Sequence, residues 1–348
     1  MPRARVPLTA RAVADLVGGR LIGDGARVLA AVGPLDSADG ETLSFLASAR
    51  YLGKFRASRA GAVLVRPDCE RERDGPGVRI VVPDPHGALA LAVEAMFPAA
   101  PAATTIDPTA RLGTGVRLGD GVSIGPYAVL GRDVELGAGV VVGPGVVLED
   151  EVAVGDHTVL GPRVTCYRGA RIGRRCLVKA GAVIGGAGFG YVSTREGHAR
   201  IPHVGGCIIG DDVDIGSNSC VDGGSIDDTV IGRGTKIDNM VHVGHNARVG
   251  ERCLVMGGTV LAGSADIGDG VIIAGHCAIL GHVRIGDGAR VGAKSGVISP
   301  IPDGADWSGY PARPHREWLR ATAALYRLAP ITDELESLAS RTERTPNA

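Results

Sequence analysis

Aromatic residues are scarce: Phe, Tyr and Trp together make up 3 % of the 348 residues. A core of ordinary globular type would need more large rings, so the interior must be built from smaller side chains. No run of 18 apolar residues occurs, which leaves no candidate membrane helix. The first residues, MPRARVPLTARAVADLVGG, contain no apolar segment of the kind a secretory leader needs. The seven cysteines (Cys69, Cys166, Cys176, Cys207, Cys220, Cys253, Cys277) are odd in number and form no Cys-x-x-Cys pair. They read as small apolar residues of a chain kept in a reducing, cytoplasmic setting, not as a disulfide framework or a thiolate metal site. Charge of one sign is not in excess either. The formal net charge is −1, so nothing in the balance points to nucleic acid.

Glycine, by contrast, is abundant, with 54 residues against a usual share of roughly 7 %. The period is not three, which excludes collagen. A period of six is present. Stepping by six from Ile106 reaches Leu112, Leu118, Ile124 and so on to Ile184. Ile209 leads to Ile215 and Val221, and Ile231 leads to Val291. All 28 positions are apolar, and the next residue is very often Gly. Each hexapeptide sends one aliphatic side chain inward, and glycine serves corners that need unusual φ/ψ or close backbone approach. Three hexapeptides make a triangular coil of 18 residues, stacked on its neighbours about 4.8 Å apart. The expected fold is mainly β: a left-handed parallel β-helix. A sandwich or barrel would show period two and strand spacings of about 8–12 residues. The repeat breaks at residues 185–207 (GGAGFGYVSTREGHARIPHVGGC) and at Gly223–Asp228 (GGSIDD). Long loops on a rigid scaffold are where function concentrates.

The flanks lack the period. Within residues 1–103, LTARAVADLVGG and HGALALAVEAMF read as helices, and AGAVLV and RIVVP as buried strands, giving an N-terminal α/β domain. PAAPAATT reads as the linker. The β-helix then occupies 104–302. A C-terminal helical tail, 303–348, contains REWLRATAALYRL and ITDELESLASRT, with Pro330 between them. By analogy with other such prisms, the expected assembly is a homotrimer with clefts between neighbouring chains.

Among the nine histidines, His245 lies two residues after the inward Val243 and so points out of the prism. One 18-residue coil later stands Gly263. One more coil reaches Gly281, beside His282. An outward imidazole next to a glycine backbone supplies the parts of a general base and an oxyanion donor, though a lone outward histidine is more often plain surface. His276 and His282, six residues apart, keep open a metal-dependent hydratase with imidazoles converging between chains.

The segments GGAGFGYVSTREGHARIPHVGGCIIGDDVDIGSN, DDTVIGRGTKIDNMVHVGHNARVG and GHVRIGDGARVG, with the order of head, helix and tail, resemble the UDP-3-O-acylglucosamine N-acyltransferases of lipid A synthesis. The resemblance implies transfer of an (R)-3-hydroxyacyl group from acyl carrier protein to the 2-amine of UDP-3-O-acylglucosamine. It implies His245 as base, a backbone N–H near Gly263 as oxyanion donor and His282 as a second site histidine. Asp238 and Asn239 match positions near the phosphopantetheine arm, and also read as plain corner residues. Phe45 and Tyr51, in LSFLASARYLGKF, match the uridine-binding segment, and also read as core aromatics. The resemblance implies no metal and no resident cofactor, the carrier's phosphopantetheine thioester being a co-substrate. It also implies a cytoplasmic enzyme in peripheral contact with the inner membrane. An alternative is a CoA-dependent acetyltransferase acting on another amino sugar nucleotide. Arg313, His315, Arg316, Arg320 and Arg327 form a basic stretch that suits an acidic carrier. Three departures stand out. Ser48-Ala49 replaces the family's Asn-Pro, Asp222-Gly223-Gly224 replaces Asp-Arg-Gly, and Gly296 lies where side-chain size varies beside the acyl groove.

Overall fold

The computed structural model describes residues 2–70, 72–98, 104–309, 315–332, 334 and 336. Residues 99–103 of the expected linker, Arg313 and most of ITDELESLASRT lie outside the described residues. The chain divides into two compact units, Met1–Pro101 and Ala102–Ala348.

The first unit comprises β1 (Arg3–Thr9), α1 (Ala10–Leu16), β2 (Arg20–Ile22), β3 (Val28–Val32), β4 (Thr42–Leu46), α2 (Leu52–Ala57), β5 (Ala62–Val65), β6 (Arg79–Val81) and α3 (Pro85–Met96). Its single sheet has the order β1-β3-β4-β5-β6-β2. The four inner strands are parallel, and the two outer ones run antiparallel to their neighbours. The reason lies in β5, whose four residues AVLV are all buried. Ala62 and Leu64 pack with Val13 and Ala14 of α1 and Ala92 and Met96 of α3. Val63 and Val65 face the other way, towards Phe55 of α2. An unbroken apolar run is what a strand covered on both faces requires.

The second unit is a parallel β-helix of three sheets with ten, nine and ten strands. The first sheet runs from Arg111–Leu112 to Gly296–Val297, the second from Arg117–Leu118 to Arg284–Ile285, and the third from Ser123–Ile124 to Asp306–Trp307. Partners on successive coils are 18 residues apart, as at Arg132 and Asp150. The step is 37 across the first interruption and 22 across the second. The period-six positions form one core column, with Ile124, Leu160, Val243 and Ile285 all essentially inaccessible. The opening coil is different: Ile106, Leu112 and Leu118 are partly exposed, because an end coil has a neighbour on one side only. Pairing also continues past residue 302, where the sequence reading ended the prism. Ile301 bridges Ile285, and Asp306–Trp307 pairs with Arg290–Val291. The last turn has lost the six-residue signature but keeps the backbone ladder.

The frequent glycines have a specific cause. A Cβ at Gly113 would stand 2.5 Å from Gly131 O, and one at Gly119 2.5 Å from Ala138 N. Where glycine follows the inward aliphatic at such positions, it does so because the next coil's backbone fills the space a side chain would take. The left-handed turn comes two residues later, and there Asn246 (φ 61°), Ser264 (φ 62°) and His282 (φ 61°) are accepted alongside glycine.

The cysteines do more than fill space. Buried Thr158 donates to Gly173 O at 2.8 Å and accepts from Cys176 N at 3.0 Å. The Cys176, Cys253 and Cys277 thiols sit 3.1, 3.0 and 3.1 Å from corner carbonyls. Burial raises their pKa, which keeps them as neutral S–H donors.

The first interruption begins as strand, since Gly186 and Ala187 pair with Asp222 and Gly223. It then forms an exposed hairpin, Tyr191–Thr194 against Gly197–Arg200. In the tail, α4 (His315–Leu328) presents exposed Leu325 and Tyr326. Arg316, Arg320 and Arg327 are exposed along the same helix.

Candidate active site

His245 stands on the edge between the first and second sheets, one coil before Gly263. A Cβ at Gly263 would lie 2.7 Å from both Cε1 and Nε2 of the imidazole. The ring therefore lies over the glycine, as the 18-residue spacing anticipates. No bond donated by the Gly263 N–H occurs among the described residues. Gly244 keeps that N–H uncovered, since a Cβ there would stand 2.7 Å from Gly263 N.

Asn246 fixes the tautomer of His245. Its Nδ2 donates to Asp227 O at 2.9 Å, so its Oδ1 is the acceptor. That oxygen takes Ser225 N at 3.1 Å, Ser225 Oγ at 2.7 Å and His245 Nδ1 at 2.9 Å. His245 Nδ1 thus carries the proton, and Nε2 is left unprotonated over Gly263. The second interruption, Gly223–Asp228, is tied to His245 through this one amide.

The first interruption returns over the same spot. The His203 ring meets the His245 ring edge-on at 5.3 Å. His203 Nδ1 donates to Ile201 O at 3.0 Å, and its buried Nε2 has no partner among the described residues. Asp222 Oδ2 lies 3.7 Å from His242 Nε2. Burial pushes the Asp222 carboxyl above the usual carboxylate range, and His242, His245 and His203 pull it back.

The remaining expected residues sit elsewhere on the prism. His282 is exposed two coils after Asn246, on the same edge, and makes no side-chain hydrogen bond among the described residues. His276 is at a left-handed corner of a different edge, between the third and first sheets. No group of three metal-ligating side chains occurs among the described residues. Asp238 and Asn239 also lie between the third and first sheets and are exposed. Asp238 Oδ2 accepts from Gly257 N at 3.0 Å, and Asn239 Oδ1 from Ser217 N at 2.7 Å. Within one chain both act as corner residues that satisfy neighbouring coils, and they do not meet His245.

In the first unit, a cavity of about 420 Å³ is lined by Phe45, Tyr51, Ser48, Lys54, Asp36 and His86, with Pro34, Leu35 and Ala47. Phe45 meets His86 edge-on at 4.9 Å. The guanidinium of Arg50 lies 5.0 Å from the Tyr51 ring centre. Lys54 is paired with Asp36 at 2.8 Å. Asp84 caps α3 by accepting from His86 N at 3.0 Å, which places His86 in the first turn beside β4. Ser48 Oγ accepts from Arg50 N at 3.4 Å.

Comparison with known proteins bears on both units. The family model described as UDP-3-O-(3-hydroxymyristoyl) glucosamine N-acyltransferase matches residues 26–95, which hold that cavity. Models of bacterial transferase hexapeptide repeats match 115–150 and 228–263, and one of succinyl-transferase hexapeptides matches 151–185. A UDP-3-O-acylglucosamine N-acyltransferase of Azorhizobium caulinodans is 48 % identical over 332 residues, 93 % of each chain. The protein of that name from Paraburkholderia phytofirmans is 45 % identical over 92 % of this chain and 90 % of its own. The chain belongs to the UDP-3-O-acylglucosamine N-acyltransferase family. Among solved structures, a UDP-N-acetylglucosamine acyltransferase from Bacteroides fragilis aligns over 57 % of this chain and 69 % of its own, at 23 % identity and a TM-score of 0.45.

The sequence placed His245 over Gly263 and put Phe45 and Tyr51 in one segment, and the structure brings each pair together. The sequence reading gave no site role to Asn246, Asp222, His242, His203 or His86. For the four of these on the β-helix, the sequence signal is that both breaks in the repeat, at 185–207 and 223–228, leave a corner His-Asn within reach.

Proposed function

We propose that the protein transfers an (R)-3-hydroxyacyl group from acyl carrier protein to the 2-amine of UDP-3-O-acylglucosamine, as its relatives' names suggest for the acceptor. The observation that carries the reading is the His245 imidazole, fixed by Asn246 with Nε2 unprotonated above the free Gly263 N–H. The amine nitrogen attacks the thioester carbonyl, forming the C–N bond, and gives its proton to Nε2. The carbonyl oxygen becomes an oxyanion, for which the Gly263 N–H is the donor. Collapse breaks the C–S bond, and the imidazolium returns its proton to the departing thiolate.

Other roles follow from placement. Phe45 and Tyr51 offer ring faces to uracil in the first unit's cavity. The guanidinium groups of Arg316, Arg320 and Arg327 face solvent, where they suit an acidic carrier. His282, Asp238 and Asn239 would join the site as parts of a cleft between chains in a homotrimer working in the cytoplasm. No described helix is long and apolar enough to cross a membrane.

His245→Ala tests the mechanism. Turnover of a hydroxyacyl carrier with UDP-3-O-acylglucosamine, followed by mass spectrometry of the product, should fall by about 10²–10⁴-fold. Retained turnover would overturn the role of the base. Turnover with acetyl-CoA but none with the acyl carrier would overturn the donor.

A further inference from the structure

We propose that Asp222 is the charge partner of His245. Its carboxylate, set across Gly188 from the imidazole, holds the imidazolium that forms when the base takes the amine proton. His242 and His203 compete for the same carboxylate. The inference rests on the reading of His245 as the base of an acyl transfer.

Three observations bring these groups together. Gly188, in the first interruption, has a bare flank: a Cβ there would lie 2.8 Å from His245 Cβ and 3.1 Å from Asp222 Oδ2. The missing side chain is what lets the base and the carboxylate share one space. Second, the Asp222 side chain is only 15 % exposed, and no N–H or O–H donates to its carboxylate among the described residues. A carboxylate so placed is stabilised chiefly by nearby cations. Third, among the described residues, the only groups facing it that can become cations are imidazoles. His242 lies on the next coil at 3.7 Å, and His245 and His203 act through space. The other titratable neighbours are thiols. Cys220 shares the strand, and burial raises its pKa. Cys207 follows the first interruption and is pushed up to about 12. Both are neutral near pH 7. The adjacent strand of the previous coil, Val183–Ala187, carries no titratable side chain.

The consequence is differential. While His245 is neutral, Asp222 has little to gain from it. Once His245 holds the proton, an opposite charge appears beside a poorly solvated carboxylate. The interaction is therefore stronger at the transition state than in the ground state, which is the condition for raising kcat. Asp222 touches no reacting atom, so it is a positioning residue for charge. His242 and His203 set how much of its field is free.

The pH dependence of kcat/KM for the full-length enzyme tests this, because the acid limb reports the protonation of His245. In Asp222→Asn the limb should move to lower pH by about one unit, and kcat should fall at least about tenfold while KM holds. In His242→Gln a competing cation is gone, so the limb should move to higher pH. Opposite displacements support the proposal. A limb that stays in place in both variants overturns it. His242 is 44 % exposed, so His242→Gln decides the matter should Asp222→Asn melt early. Full activity in His245→Ala would instead sink the reading of His245 as the base, on which this inference rests. An inactive His245→Ala with unmoved limbs in the other two variants sinks only the role of Asp222.

Discussion

A single methyl group at position 263 would meet the ring of His245. The Cβ of alanine there would lie 2.7 Å from both Cε1 and Nε2 of His245, well inside van der Waals contact, and the Asn246 bond resists any tilt of the ring. Gly263→Ala should therefore fold normally, since the three atoms nearest the added methyl belong to a side chain and not to backbone. Turnover should nonetheless drop by about 10²-fold, because misplacement by roughly an ångström costs that much. Steady-state kinetics beside a thermal melt checks both halves. A variant that keeps wild-type kcat would show that the imidazole does not work from this position. At this scale the sequence was informative where backbone geometry alone decides. Coil stacking maps an 18-residue separation onto one step, so His245 above Gly263 could be read directly. The Asn246 acceptor could not, because it depends on where Gly223–Asp228 comes back to the prism, and nothing local to that segment encodes its return path.

At the scale of the element, the corners carry a burden that hydrophobic periodicity does not reveal. Thr158 is fully buried, yet its hydroxyl satisfies both Gly173 O and the Cys176 N–H. Thr235 and Thr259 do the same for Gly250 O with Cys253 N and for Ala274 O with Cys277 N. Thr158→Val preserves shape and strands two buried backbone groups. It should destabilise the β-helix by roughly 1–3 kcal/mol for the unsatisfied groups. Urea unfolding followed by circular dichroism measures this. An unchanged midpoint would mean that the corner hydroxyls are dispensable. The period-six positions showed the inward column. Residues such as Thr158 and Cys176 sit two before that column and read simply as small. Their chemistry appears only when two coils are stacked. The head shows the same limit. LSFLASARYLGKF pointed to Phe45 and Tyr51, but His86 and Asp36 reach the cavity from other segments, brought there by parallel pairing across a sheet whose order the sequence does not state.

At the scale of the whole molecule, the three faces of the prism differ in what they offer a neighbour. Outward positions on the third sheet include Val141, Val159, Leu177, Leu254 and Ile272, and those on the first include Val129, Val147, Val183 and Val260. Several are well exposed in one chain: Val129 43 %, Val260 41 % and Leu254 40 %. The second sheet instead carries Arg117 with Glu135, Arg248 with Asp227 and Arg284 with Asp266. The third sheet also carries Lys236 paired with Asp214 and Arg290 near Asp306. Its aliphatic positions and those of the first sheet, against the more densely charged second, nevertheless suit a closed ring in which the second sheet looks outward. Covering aliphatic side chains of this kind contributes about 1.5–3 kcal/mol for each one fully buried, so one charge placed among them should matter. In sedimentation, the wild-type chain should run at three times the chain mass. Leu254→Arg, on the third sheet, should shift it towards single chains and reduce turnover in step, because a cleft built between chains is lost with the assembly. Arg248→Leu, on the charged face, should leave the mass unchanged. A wild-type chain sedimenting alone, or a Leu254→Arg variant that still assembles, would mean that the apolar faces serve something other than the ring.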